Sequence, residues 1–272
     1  MLTQHDKGIA FAALHQQPEA FVIPNPWDIG SARMLAHAGF QALATTSAGF
    51  AFSIGRGDGA VGREHVLAHV SAIAGATELP VSADLENGFG DDVETVAKTI
   101  ALAAAAGAVG GSIEDVSPRP QAVVYELAHA VDRVRAAAVT ARALPFRFML
   151  TARAENFIAC RPDLADTIAR LQAYQDAGAD VLYAPGLTTL DQITTVVRSV
   201  DRPVNVLMGL PQVALDRAAL SAVGVRRISV GSALARAAYG EFLRGAREMS
   251  ERGTFAFADR AASARDVTAL LD

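Results

Sequence analysis

Apolar positions in this chain cluster into short runs, set between longer stretches that are Ala-rich or amphipathic at helical spacing. Four places share one local order, an Ala-rich stretch, a glycine and an apolar run: "LAHAGFQALATT", "LAAAAGAVGGSIED", "YQDAGADVLYAP" and "LSAVGVRRISVG". Glycine just past a helix is the favoured left-handed cap, so each reads as a helix handing over to a strand. The runs predict eight strands: 21–25, 42–46, 80–84, 110–115, 147–153, 180–185, 203–208 and 226–231. They read as mostly apolar without alternation, as expected of parallel strands buried on both faces. Eight is the number that closes a (β/α)8 TIM barrel; an open doubly wound sheet would pattern similarly, so closure rests on that count. Two further helical stretches, roughly 232–250 and 254–271, follow the last strand. No Pro/Ser-rich linker or shift in composition divides the chain, and residues 1–272 read as one α/β domain.

Polar residues collect where the apolar runs stop. Thr45, Thr46 and Ser47 follow the second run, Asp84 and Glu86 the third, Glu114 and Asp115 the fourth, and Arg153 and Glu155 the fifth; Asn205 lies in the seventh. In a parallel barrel these ends share one face, the face that carries active sites. Asp84 and Glu86 stand one residue apart in "VSADLENGFG", just ahead of a glycine-rich turn. Carboxylates repel and are costly to desolvate, so such a pair calls for a cation.

Asp84, Glu86 and Glu114 offer hard oxygen donors, suited to Mg²⁺ or Mn²⁺. Asp84 is expected to hold the ion directly, with Glu86 and Glu114 reached through its waters. Arg153 could fork onto a substrate carboxylate. The backbone N–H groups of Ser47, Ala48 and Gly49 in "TTSAGF" could hold an oxyanion. These parts together suit an anionic 2-oxo acid and its enolate.

Composition removes other classes. Hydrophobic residues make up 51% of the 272 residues and charged ones 19%, which suits a folded globule. The net charge is −5 with no basic cluster, so no nucleic-acid partner is expected. The polar N-terminal stretch and the lack of a long apolar run predict no signal peptide, no membrane partner and a cytoplasmic protein. A single cysteine, Cys160, excludes an internal disulfide and reads as a plain loop residue. "GDGAVG" (57–62) fits Gly-x-Gly-x-x-Gly but does not directly follow a first strand, which argues against a dinucleotide site. His65 and His69 share a helix face with no third ligand in view and read as solvated. Trp27, Phe50 and Phe89 read as core.

"PNPWDIGSARML", "TTSAGFAFSIGRGDG", "ADLENGFGD", "GGSIEDVSPRP", "TARAENF" and "VNVLMG" occur in the order found in the isocitrate lyase/phosphoenolpyruvate mutase superfamily, which this chain resembles from about residue 20 to 235. In that family an Asp-x-Asp-x-Gly-(Phe/Tyr)-Gly strand end holds Mg²⁺; Asp84, Glu86, Gly88, Phe89 and Gly90 stand in those places, with Glu for the second Asp. The resemblance further implies Glu114 as the next acid, Ser47 to Gly49 as the substrate loop, Arg153 and Glu155 in the Ala-Arg-Thr-Asp segment, and Asp58 as a further functional acid. It implies a homotetramer whose last helices are exchanged between subunits.

The chain also departs from that pattern. Family lyases carry a Lys-(Lys/Arg)-Cys-Gly-His loop after the Ile-Glu-Asp turn, whose cysteine is the general acid; here the chain reads "EDVSPRPQAVVYELAHAV". Mutases place Lys and Asn in that segment, where this chain has Arg119 and Gln121. The expected activity is therefore Mg²⁺-dependent C–C cleavage of a small 2-oxo or 2-hydroxy dicarboxylate, with Asp58, Glu114 and Arg153 catalytic and Asn205 binding substrate. The alternatives are a phosphonomutase-like enzyme and a non-catalytic 2-oxo acid binder.

Overall fold

The computed structural model describes residues 2–117 and 123–271. Eight parallel strands appear where the runs predicted them, each trimmed at its ends: β1 (Phe21–Ile23), β2 (Leu43–Ala44), β3 (Val81–Asp84), β4 (Gly110–Glu114), β5 (Met149–Arg153), β6 (Val181–Tyr183), β7 (Val204–Leu207) and β8 (Arg227–Ser229). From β2 to β8 neighbours in sequence are neighbours in the sheet, and β1 pairs with β8. Between β1 and β2 the seam is drawn together by the Ala44 N–H donating to the Pro24 carbonyl at 3.1 Å and Asn25 Nδ2 donating to the Thr45 carbonyl at 3.0 Å. The architecture is a (β/α)8 barrel with helices outside it.

One expectation about the strands is corrected. They do alternate. Registered positions share a face, and Ser82, Asp84, Ser112, Glu114, Arg153, Asn205, Arg227 and Ser229 all look into the barrel. The residues between them, among them Ala83, Ile113, Leu150, Ala152, Leu182, Val204, Val206 and Ile228, are buried against Val70, Ile100, Val134, Leu171 and Ile193 of the surrounding helices. The period of two was masked because the inward set includes small and apolar residues at its lower end.

That lower end is closed by the helix Gln4–Leu14, capped by Thr3 and Asp6 accepting from each other's backbone N–H groups. Its Phe11 and Leu14 enter the barrel beside Phe21, Ile23, Met149 and Val181. Gly110 makes room: a Cβ there would stand 2.8 Å from the Phe11 ring and 2.9 Å from the Met149 carbonyl oxygen.

After β8 the chain forms one long helix, Ala233–Arg252, ended by Gly253 in the left-handed region at φ 66°. The second expected helix, 254–271, is instead a 3-10 turn (Ala256–Arg260) and a short helix (Ala264–Ala269) capped by Ser263. The extended backbone at Ala261 separates them.

Candidate active site

Above the apolar plug the barrel opens into a cavity of about 650 Å³ at the C-terminal ends of the strands. Asp58, Asp84, Glu86, Glu114, Glu155, Arg153, Asn205, Ser47 and Ala48 all line it. Residues separated by up to 158 positions in the chain thus face one space (47 to 205).

Arg153 is its centre. Nε donates to Glu155 Oε1 at 2.8 Å, Nη1 pairs with Asp84 Oδ1 at 3.1 Å, and Nη2 with Glu114 Oε2 at 3.1 Å. The nitrogens expected to fork onto a substrate carboxylate are therefore each committed to an acid, and a substrate must compete for them. Burial opposes the charge on Arg153, but Glu114, Glu155 and Asp84 outweigh it and raise its pKa further. Burial pushes the Glu114 and Glu155 carboxyls up, against the pull of Arg153.

Glu86 stands apart. It sits in the left-handed region at φ 50°, an uncommon place for a residue with a Cβ. Among the described residues its carboxylate has no hydrogen-bond or ion-pair partner. Burial, then Asp84 and Asp58, push its pKa up to about 7. The turn that presents it is held from outside the barrel: Arg133, itself buried, donates to the carbonyls of Asn87, Gly90 and Asp91 and lies over the Tyr125 ring. Gly88, at φ 84°, allows the reversal.

Five carboxyl groups stand at the mouth against the one guanidinium of Arg153, and the donors are hard oxygens. That set fits a divalent cation of the Mg²⁺ kind. Among the described residues, no three His, Cys, Asp or Glu side chains are grouped closely enough to ligate one ion by themselves, since Arg153 lies between Asp84 and Glu114. A cation that keeps several waters is compatible with this spacing; one needing a full protein cage is not.

Several expected roles change in detail. Ser47 opens a helix, Ser47–Ser53, capped by Thr46. Its N–H donates to Asp84 Oδ2 at 3.0 Å and the Gly49 N–H to Thr46 Oγ1 at 3.2 Å, so only the Ala48 N–H of the three has no partner among the described residues. Gly49 lies behind the cavity, where a Cβ would meet the Thr46 methyl at 2.6 Å. Asp58 is exposed on the rim. Asn205 is buried with both amide ends occupied, donating to Ser229 Oγ and accepting from Arg227 Nε, each at 2.9 Å. Asp115 faces away from the cavity, where it takes hydrogen bonds from Arg170, Tyr174 Oη and the Glu155 N–H. It braces the site from behind.

His69 is not solvated. It stacks on Phe50 with centroids 3.9 Å apart, and burial pushes its pKa down to about 4, because the helix Arg63–Ala76 turns that face inward; His65 remains exposed. Trp27, Phe50 and Phe89 are each half-buried, and none lines the cavity. Cys160 is exposed in the loop after β5 and also outside the lining. Arg119 and Gln121 lie outside the described residues. Sequence reading missed Arg227, Thr151, Ser229, Ser82 and Ser112; their signal was polar residues at every second position inside the runs.

Fold and site together define a (β/α)8 barrel with a carboxylate-rich, arginine-centred site at its mouth. The chain belongs to the phosphoenolpyruvate phosphomutase family, whose model matches residues 11–250, within the isocitrate lyase/phosphoenolpyruvate mutase superfamily of lyases and mutases. A crystal structure from Burkholderia cenocepacia J2315 is 58% identical, with a TM-score of 0.96 over 98% of this chain and 95% of that one. An oxaloacetate decarboxylase of Chromohalobacter salexigens is 30% identical over 85% of this chain and 81% of its own length. A 2-methylisocitrate lyase of Salmonella typhimurium is 32% identical over 70% of this chain and 65% of its own.

Proposed function

We propose that this chain is a Mg²⁺-dependent lyase, with Mn²⁺ as a substitute ion, that cleaves a C–C bond beside the oxo group of a small 2-oxo or 2-hydroxy dicarboxylate through an enolate. The observation that carries this is Arg153 held among three acids in a cavity that Glu86 enters with no partner among the described residues. Asp84, with Glu86 and Glu114 beside it, would hold the ion. Bound there, Mg²⁺ supplies positive charge that withdraws electrons from the 2-oxo group and lowers the cost of the enolate. Arg153 and the Ala48 N–H orient the carboxylate end, and Asn205 meets the substrate deeper in the barrel. Asp58, on the rim, and Glu114 are the groups placed to manage protons. With no family cysteine loop in the sequence, the enolate takes its proton from solvent, which favours decarboxylation or hydrolytic cleavage of an oxaloacetate-like compound over thiol-assisted cleavage.

The match to the mutase model supports a second reading, a phosphonomutase-like activity on phosphoenolpyruvate or a carboxyphosphonate relative. Incubation with Mg²⁺ and oxaloacetate, methylisocitrate or phosphonopyruvate separates these. Pyruvate and CO2, or oxalate and acetate, from oxaloacetate, or pyruvate and succinate from methylisocitrate, supports the lyase. Phosphoenolpyruvate from phosphonopyruvate supports the mutase. Tight oxalate binding with no product from any of them identifies a binder.

We also propose a cytoplasmic homotetramer exchanging its last helices. Among the described residues no helix is long and apolar enough to cross a membrane. Phe242 at 69% and Phe255 at 66% exposure, with Leu243 and Met249, leave apolar surface on that terminal region for a second copy to cover.

A further inference from the structure

The cavity floor holds a second cation that the chemistry above does not use. Arg227 points inward from β8 and reaches across the barrel: Nε donates to Asn205 Oδ1 on β7 and Nη2 to Thr151 Oγ1 on β5, each at 2.9 Å. It is 5% exposed, it lines the same cavity as Arg153, and Nη1 is buried with no hydrogen-bond partner. Both of its acceptors are neutral, and among the described residues no carboxylate pairs with it.

The two arginines are thus opposites. Arg153 has three acids around it. Arg227 has none, and burial pushes its pKa down to about 10. His15, on the plug below, brings no counter-charge: an imidazole is either neutral or cationic, and burial and Arg227 hold this one neutral. A buried cation without a counter-charge is costly, and it stands where barrels usually place Val, Ile or Leu. An anion supplied by the ligand offsets that cost.

We infer that Arg227 is a specificity-determining residue that receives a second anionic group of the substrate, a carboxylate distal to the 2-oxo acid end, at the floor of the cavity. This rests on the reading that the 2-oxo acid end sits at the mouth. Asn205 and Ser229 flank the approach with neutral polar groups, so the selecting charge is that of Arg227.

Calorimetry in Mg²⁺ with 3,3-difluoro-2-oxobutyrate and 3,3-difluorooxaloacetate tests it, because the two share the same activated 2-oxo acid end and differ in the second carboxylate. The unmodified protein should prefer the dicarboxylate by about tenfold or more. Arg227→Gln, which can still bond Asn205, should abolish that preference and leave 3,3-difluoro-2-oxobutyrate affinity within about twofold. Arg227→Lys should keep part of the preference, and it decides the matter if the Gln variant does not fold. Equal weakening of both ligands, or no change in the preference, overturns the inference. If the unmodified protein binds neither ligand, the proposed function fails, and the floor is judged alone by a bromide soak: an anomalous peak at Nη1 of Arg227 retains the anion site, and no peak there removes it.

Discussion

The two ends of the barrel interior are made by the same strands with the same period, yet they do opposite work. At the bottom Phe21, Met149 and Val181 meet Phe11 and Leu14 in an apolar plug. Two to four residues further along, Thr151 and Arg153 on β5 and Tyr183 on β6 belong to a polar layer and a charged mouth. The plug gains free energy by excluding water. The mouth spends it, by crowding acids that only a cation reconciles. The contrast teaches that stability and chemistry in this fold are stacked along one axis, so each can be attacked without the other.

The largest effect is expected at the mouth. Asp84→Ala removes the proposed direct ligand together with a partner of Arg153 and of the Ser47 N–H. Mg²⁺-dependent oxalate binding should disappear by calorimetry while the melting temperature stays near the original; unchanged metal affinity would mean the site is misplaced. At the plug the pattern inverts. Phe11→Ala should cost about 3–5 kcal/mol of stability in urea titrations, with oxalate affinity of the folded protein unaltered. An equal loss of binding would show that the two ends are coupled.

A smaller effect separates the ends by pH. Burial and Arg227 push the pKa of His15 down to about 3, against an ordinary 6.5 in the unfolded chain. The unfolded state therefore takes up the proton first, so stability is complete above about pH 6.5 and falls as pH drops from there toward 3. Between pH 7 and 5 His15 alone should account for about 2 kcal/mol. His69, with its pKa pushed down to about 4, acts in the same direction. His15→Gln should flatten the urea-derived pH profile in this window, and a profile as steep as before would sink the assignment. Cys160→Ser should change nothing measurable in activity, because the thiol is exposed outside the cavity lining; a loss of orders of magnitude would restore a thiol mechanism.

Much of this was legible in the chain. Apolar runs, four of them after capping glycines, located all eight strands, and acids at the ends of those runs marked the mouth. Arg227 was not legible as a site residue, because "RRISVG" offers two adjacent arginines and only the strand's register shows which one points inward. Asp115 and Glu114 are neighbours in "IED", and alternation sends one behind the barrel wall and the other into the cavity. The helix at Ser47 was hidden as well. Its small residues look like a loop until Thr46 caps them, which changes which N–H groups remain free.

Sequence alone determined the order of elements, the chemical kinds of group at each strand end, and the lack of a cysteine loop, because these depend on local propensity and on residue identity. Only the tertiary structure decided which groups are paired. That Arg153 is surrounded by acids while Arg227 is left with none among the described residues depends on barrel closure, which brings side chains from different strands within hydrogen-bonding reach, and no local pattern encodes distances across a barrel.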